Sequence, residues 1–373
     1  MFFLHKKSYI QGNIAMLAVL VFGLVSVLAT YVYTQQRNAA LDHDGLVEDI
    51  QTPTEIAEDF FQGGNDGAEA KELYEKTLQG TLSYNDEAQA KFRLASIDAR
   101  SPDIDIQYKA IDAFKAIAAN VNYSLLWRGN AVEYVGRIYY SQHDQRLFDY
   151  IFTGDPYQSY LVEDDIDLSF RQLYEYASSL YPVADAELRI ASWYASEVTS
   201  LATDSISSTQ QALIDGMTTI VQTKLASADR DIQRIMRSGG NTDPRIPRLL
   251  NRRANVLGLM FEAGVTDIGD PEVAYREALE SVVKTGGTSQ LGFTKYHYAA
   301  FLARVYSAER SKDISILLRD FYETDIYNDR SVFEFFTNEK DVVPVTAAGK
   351  DLQSLASIDT DFKDLLVSLG WNL

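Results

Sequence analysis

An all-α fold is what this sequence predicts, with one membrane-spanning helix ahead of a long array of packed helices. Three features predict it. An apolar run from Ile14 to Tyr33 carries no charge. From Ala68 onward, apolar and small residues recur at the three- and four-residue steps of an amphipathic helix. No stretch alternates apolar with polar residues as a half-buried strand would.

The first element is the apolar helix, residues 14–33, after a short N-terminal segment, 1–13. At a rise of roughly 1.5 Å per residue it spans about 30 Å, the thickness of a bilayer's hydrocarbon core. Lys6 and Lys7 precede it, and the charges after Arg37 begin with Asp42, Asp44, Glu48 and Asp49. Basic residues stay in the cytoplasm, so residues 1–13 are expected inside and the rest of the chain outside. Tyr31 and Tyr33 fall where an interfacial aromatic belt sits. The alternative is a signal peptide cleaved after Ala29, where Val27 and Ala29 are small enough. The run outlasts the usual apolar region of such peptides, and Tyr31, Val32 and Tyr33 prolong it, which favours a retained anchor.

Residues 34–67 read as an acidic stalk. Thr54 is placed to cap a short helix holding Glu55, Ile56, Ala57, Phe60 and Phe61. Asp42-His43-Asp44-Gly45 has part of a calcium loop's spacing, but Ala40 stands at its first ligand position and Gln51 at its twelfth. No metal is expected there.

The body of the chain, 68–327, reads as helix pairs. Ala254, Leu257, Gly258 and Phe261 form a small-residue contact pattern with an aromatic three residues on. Val132, Val135, Gly136 and Tyr139 repeat it, Ala299, Leu302, Ala303 and Tyr306 repeat it with alanine for glycine, and Ile190, Ala191 and Tyr194 give a shorter copy. Ala110, Phe114 and Ile117, and then Phe170, Tyr174, Ala177 and Pro182, suit the second helix of a pair. Glycine or alanine lets a neighbouring backbone approach, while the aromatic fills the groove beside it. These segments resemble tetratricopeptide repeats, antiparallel helix pairs with a loose 34-residue period. The resemblance implies a tetratricopeptide-like α-solenoid over about 68–322, although the spacing between copies is irregular and the consensus tryptophan is absent.

One long helix, 207–237, interrupts the pairs. Leu213, Met217, Ile220, Lys224, Ala228, Ile232 and Ile235 give it a heptad-like seam with one lysine. Ser205 or Ser207 is the expected cap, Gly239-Gly240-Asn241 the stop, and Pro244 and Pro247 the turn that follows. The seam is expected to pack within its own chain; a homodimer or partner-helix contact is the alternative. The tail, 328–373, holds the apolar runs 332–336 and 342–345, then two short helices. The second starts near Asp359 with Phe362, Leu365, Leu366 and Leu369 on one face and Gly370 as its stop. This tail suits the terminal cap that a solenoid needs.

Composition bounds the chemistry. Of the residues, 46% are apolar and 12% aromatic, ample for a core. Cysteine is absent, which excludes disulfides, thiolate metal sites, a cysteine nucleophile and a lipidated anchor. Setting Lys6 and Lys7 aside from the 34 basic residues leaves 32 beyond the anchor against all 53 acidic ones, a formal charge of −21. Nucleic-acid binding is argued against, since phosphate contacts need clustered Lys and Arg. A basic or extended protein segment suits the acidic surface better, and Glu163–Asp167 is its densest acidic cluster.

No catalytic residue, cofactor or metal site is predicted. His5, His43, His143 and His297 share no ligand spacing, and no nucleophile elbow, phosphate loop or dinucleotide fingerprint occurs. Asp164 with Asp165 and Asp229 with Asp231 are unremarkable pairs in so acidic a chain. Asn122-Tyr123-Ser124 is a glycosylation sequon. The 23 tyrosines, with Trp127 and Trp193, serve mainly as core, though a groove lined by some of them is open. The expectation is a membrane-anchored extracytoplasmic scaffold for protein–protein interaction in envelope assembly or export, not an enzyme. Its topology is similar to that of single-pass tetratricopeptide proteins of bacterial inner membranes. The alternative is a surface protein that captures glycan or nutrient on aromatic platforms.

Overall fold

A computed structural model describes residues 67–142, 144–163, 165–202, 206–239, 243, 245–285, 288–323 and 347–368. The expected anchor and stalk, the apolar runs at 332–336 and 342–345, and His5, His43 and His143 lie outside the described residues. The described residues all belong to the unit Pro53–Leu373, and among them no helix is long and apolar enough to cross a membrane.

Among the described residues the fold is all-α, without a strand. The first helices are α1 (Gly67–Thr77), α2 (Tyr84–Asp98), α3 (Ile104–Ala119), α4 (Leu125–Gln142) and the short α5 (Gln145–Phe152). Next come α6 (Ile166–Leu180), α7 (Ala184–Leu201) and the long α8 (Ser208–Gly239). α9 (Arg245–Glu262), α10 (Pro271–Thr285), α11 (Thr288–Tyr306) and α12 (Ser311–Glu323) follow, and α13 (Ala347–Ile358) and α14 (Thr360–Ser368) end the series.

Local chemistry starts and stops these helices. Ser83, Asp103, Asp144 and Asp165 each accept a backbone N–H from the first turn they precede. At α8, Ser207 Oγ accepts from Gln210 N (3.2 Å) while Gln210 Oε1 accepts from Ser207 N (3.0 Å), a reciprocal capping box that makes Ser207 the cap. Pro247 does not turn the chain as expected. It sits inside the first turn of α9, where a missing N–H leaves no helical bond unmade, and Asp243 receives the Arg245 N–H (2.9 Å). α9 ends in a Schellman motif: Val265 N donates to Met260 O (2.9 Å) and Gly264, at φ +82°, donates to Phe261 O (3.0 Å).

Packing follows chain order. The strong contacts join each helix to the next one or to the one after that: α2 to α3 and α4, α4 to α6, α7 to α8 and α9, and α9 to α10 and α11. The motif positions carry these contacts. Val132, Val135, Leu257, Leu302, Ala303, Ile190, Ala191, Phe114, Phe170, Tyr174 and Ala177 are all buried. A Cβ on Gly258 would lie 3.0 Å from the Phe301 ring of α11, and one on Gly129 would lie 3.2 Å from the Ala177 carbonyl of α6. The long helix α8 lies along α7 of its own chain. Its buried stripe is Ile214, Val221, Leu225, Ala228, Ile232 and Ile235, whereas Leu213 is 50% exposed. The seam expected at Leu213 therefore runs one residue further on at that end. α13 packs on α11, and Asp359 caps α14, whose Phe362 and Leu366 are buried as expected.

Candidate functional site

The polar groups that the fold buries gather where α4, α6, α7 and α9 meet. Three of these helices each bring an acid–arginine or arginine–arginine pair four residues apart: Glu133 and Arg137 on α4, Asp185 and Arg189 on α7, Arg248 and Arg252 on α9. A four-residue step puts both members of a pair on one helix face. Glu133 and Asp185 are buried. Asp185 is the common anion: Arg252 Nη1 donates to its Oδ1, Arg248 Nη2 lies 3.8 Å from Oδ1, and Arg189 Nε lies 3.5 Å from Oδ2. The aromatic rings of the junction face the same cations. Arg189 lies 4.8 Å from the Tyr140 ring centre and 5.2 Å from that of Tyr174, and Arg137 lies 4.8 Å from that of Tyr134.

The two acids behave differently. Burial first, and then the adjacent Asp185 charge, push the Glu133 carboxyl up to about 8. Burial raises Asp185 too, but the guanidinium groups of Arg248 and Arg252 outweigh it and hold this carboxyl well below the usual range. Glu133 is therefore protonated at neutral pH and Asp185 ionised. A proton on Glu133 also lets it hydrogen-bond to Asp185; neither Glu133 Oε1 nor Asp185 Oδ2 accepts a hydrogen bond otherwise, the latter having only the Arg189 Nε contact at 3.5 Å. The junction then holds one carboxylate among four guanidinium groups. Two neighbours register that positive excess. Burial alone would raise the Tyr134 phenol, yet Arg137, Arg93 and Arg248 bring it below its ordinary value. Burial and the nearby Arg189 lower Arg252 to about 10.

Polar contacts elsewhere hold helices together. Lys224, the interruption in the α8 seam, reaches across to Ser178 Oγ of α6 (2.6 Å) and Glu187 Oε1 of α7 (3.2 Å). α7 begins after Val183, which offers no cap, and Asp231 of α8 accepts the Ala184 N–H instead (2.8 Å). Arg304 of α11 joins Glu262 of α9 (2.8 Å) to Asp351 of α13 (2.5 Å).

The residues singled out in the sequence are mostly structural. His297 is half-buried with Nδ1 3.0 Å from Asn251 Nδ2; with the amide turned this way it donates, which suits a neutral ring. Asp229 pairs with Arg253 (2.7 Å) and Asp231 with Arg234 (2.9 Å). In the acidic cluster, Asp165 caps α6 and Asp167 accepts from the Tyr140 hydroxyl (3.2 Å). Trp127 donates to Asn85 Oδ1 (2.9 Å) and packs on Phe92, while Trp193 packs on Tyr174. Among the described residues no group of three His, Asp or Glu is placed to hold a metal ion. The sequence reading missed the junction. Its signal was present as three i,i+4 charged pairs in helices that otherwise face the core, but in a chain rich in charge such pairs are common and only their convergence marks them. Compared with known proteins, the chain matches no family model, no curated protein and no solved structure.

Proposed function

We propose that residues 67–368 form a tetratricopeptide-like scaffold, held on the outer face of a membrane by Ile14–Tyr33, that binds another protein. The observation that carries this reading is the packing in chain order, with Gly129, Gly136 and Gly258 at helix contacts. Arrays built that way offer an extended surface in place of a single enclosed site, and such surfaces suit extended protein segments. The aromatic residues favour a protein partner over a glycan. Tyr74, Tyr157, Tyr174 and Tyr275 are wholly buried, and Trp127 and Trp193 pack, partly buried, against the core cluster that holds Tyr157 and Tyr174, which leaves them unsuited to act as sugar platforms. The acidic surface accelerates the approach of a basic partner, and the closer contacts then set its residence time.

Affinity capture from crosslinked membranes, with the anchor intact, tests the reading. Recovery of one envelope or exported protein in stoichiometric amount is the expected result. Recovery of glycan alone would replace it with the capture alternative. Protease added to intact spheroplasts is expected to digest the helical domain, and protection of that domain would remove the topology.

A further inference from the structure

The helical domain is acidic, yet the junction of α4, α6, α7 and α9 gathers guanidinium groups beyond what its acids neutralise. Arg189, Arg248 and Arg252 share Asp185 there, and Arg137, over the Tyr134 ring, lies within electrostatic reach of Glu133, Asp185 and Arg189. Even with Glu133 ionised as well, two positive charges remain without an opposite charge inside the junction. Buried ion pairs that serve stability alone are matched in number, because each uncompensated buried charge is expensive. Nor are the cations sealed off: the side chains of Arg189, Arg248 and Arg252 keep 15%, 24% and 24% of their surface open to solvent.

Donors are also left over. Arg248 Nε and the Tyr174 hydroxyl are buried atoms without a hydrogen bond, and Arg189 Nε has only its 3.5 Å contact with Asp185 Oδ2. Both orphans belong to residues grouped around Asp185 and Arg189. Buried polar atoms are nearly always satisfied in folded proteins, so two orphaned donors among excess cations point to an anionic guest. Planar guanidinium forks match oxyanions, and a surplus of at least two charges suits a dianion better than a single carboxylate. Gly136 helps to position the Tyr174 donor, since a Cβ there would come within 2.6 Å of its hydroxyl.

We propose that Arg137, Arg189, Arg248, Arg252 and Tyr174 form a binding site for a small dianionic oxyanion of the phosphate class, either free phosphate or the phosphate of a small monoester. The site is separate from the proposed scaffold surface and stands whether or not a protein partner is found.

The full chain in detergent micelles is titrated at neutral pH with inorganic phosphate, with glycerol 3-phosphate, and with sodium chloride at matched ionic strength. Calorimetry and thermal unfolding are both recorded. Phosphate at about 10 mM should raise the melting temperature by a few degrees where chloride does not, as expected for a ligand that binds the folded state alone. Tighter binding of glycerol 3-phosphate assigns the site to a monoester, and tighter binding of inorganic phosphate assigns it to the free ion. Arg248→Gln should weaken binding about tenfold or more, the loss expected for one charged hydrogen-bond donor. Arg253→Gln, on the same helix but paired with Asp229, should leave it unchanged. If Arg248→Gln lowers basal stability too far to be read, Tyr174→Phe takes its place and should weaken binding several-fold by removing one neutral donor. Equal shifts with chloride, absence of calorimetric binding at about 10 mM phosphate, or undiminished binding by the variant that is read would each overturn the proposal.

Discussion

Glu133, buried, and His297, half-buried, are both held uncharged in the fold, and their effects on stability run in opposite directions with pH. Glu133 has a folded pKa near 8 against an ordinary value of 4.5, so between these limits the folded chain keeps a proton that the unfolded chain releases. Its contribution is full below about pH 4.5 and is lost as pH rises through 8. Glu133→Gln keeps the shape and stays neutral. Its melting temperature should match the parent near pH 5 and exceed it increasingly toward pH 8.5, measured by calorimetry at fixed ionic strength. A constant difference over that range would mean that Glu133 is ionised in the folded protein. His297 is shifted down to about 4 from 6.5, first by burial and then by Arg304 and Arg252. Its contribution is full above pH 6.5 and is lost as pH falls through 4, by roughly 3 kcal/mol. His297→Gln should flatten the acid side of the stability curve. An unchanged acid slope would place its titration elsewhere.

Helix contacts decide what a glycine is worth in this fold, and three glycines separate the cases. Gly136 of α4 has the fully buried Tyr174 hydroxyl 2.6 Å from where a Cβ would stand, and Gly258 of α9 has Phe301 at 3.0 Å. Gly136→Ala and Gly258→Leu should each destabilise by about 1–3 kcal/mol or more, because a close-packed contact has no room for added carbon. Gly216, inside α8, has no neighbour within 4 Å of its Cβ position. Gly216→Ala should therefore stabilise by about 0.5–1 kcal/mol through helix propensity alone. Chemical denaturation of the three variants checks both signs together. A neutral Gly258→Leu would show that α9 and α11 do not meet there.

Because strong contacts join only helices near in order, damage at one end of the chain should stay at that end. Removing residues 347–373 exposes the face of α11 that α13 covers and takes away Asp351, the partner of Arg304. In a nearest-neighbour array, amide-exchange protection should fall strongly in α11 and α12 while α2 to α4 keep theirs. Uniform loss of protection along the chain would indicate one cooperative core in place of an array.

Several elements were open to reading from local chemistry. Ser205 or Ser207 announced the start of α8, Asp359 announced α14, and the small-residue motifs marked Gly136 and Gly258 as contact points, because caps and helical periodicity act within a few residues of chain. What lay beyond that reach needed the tertiary structure. Leu213 and Ile214 both satisfy a periodic seam, and only the direction in which α7 lies across α8 decides which is buried. Val183 gives α7 no cap, and Asp231, 47 residues away from Ala184, supplies one. Glu133, Asp185, Arg248 and Arg252 read separately as ordinary helical charges. Their protonation and their excess of positive charge arise from burial and from neighbours brought together by three different helices, and neither quantity is a property of any local stretch of sequence.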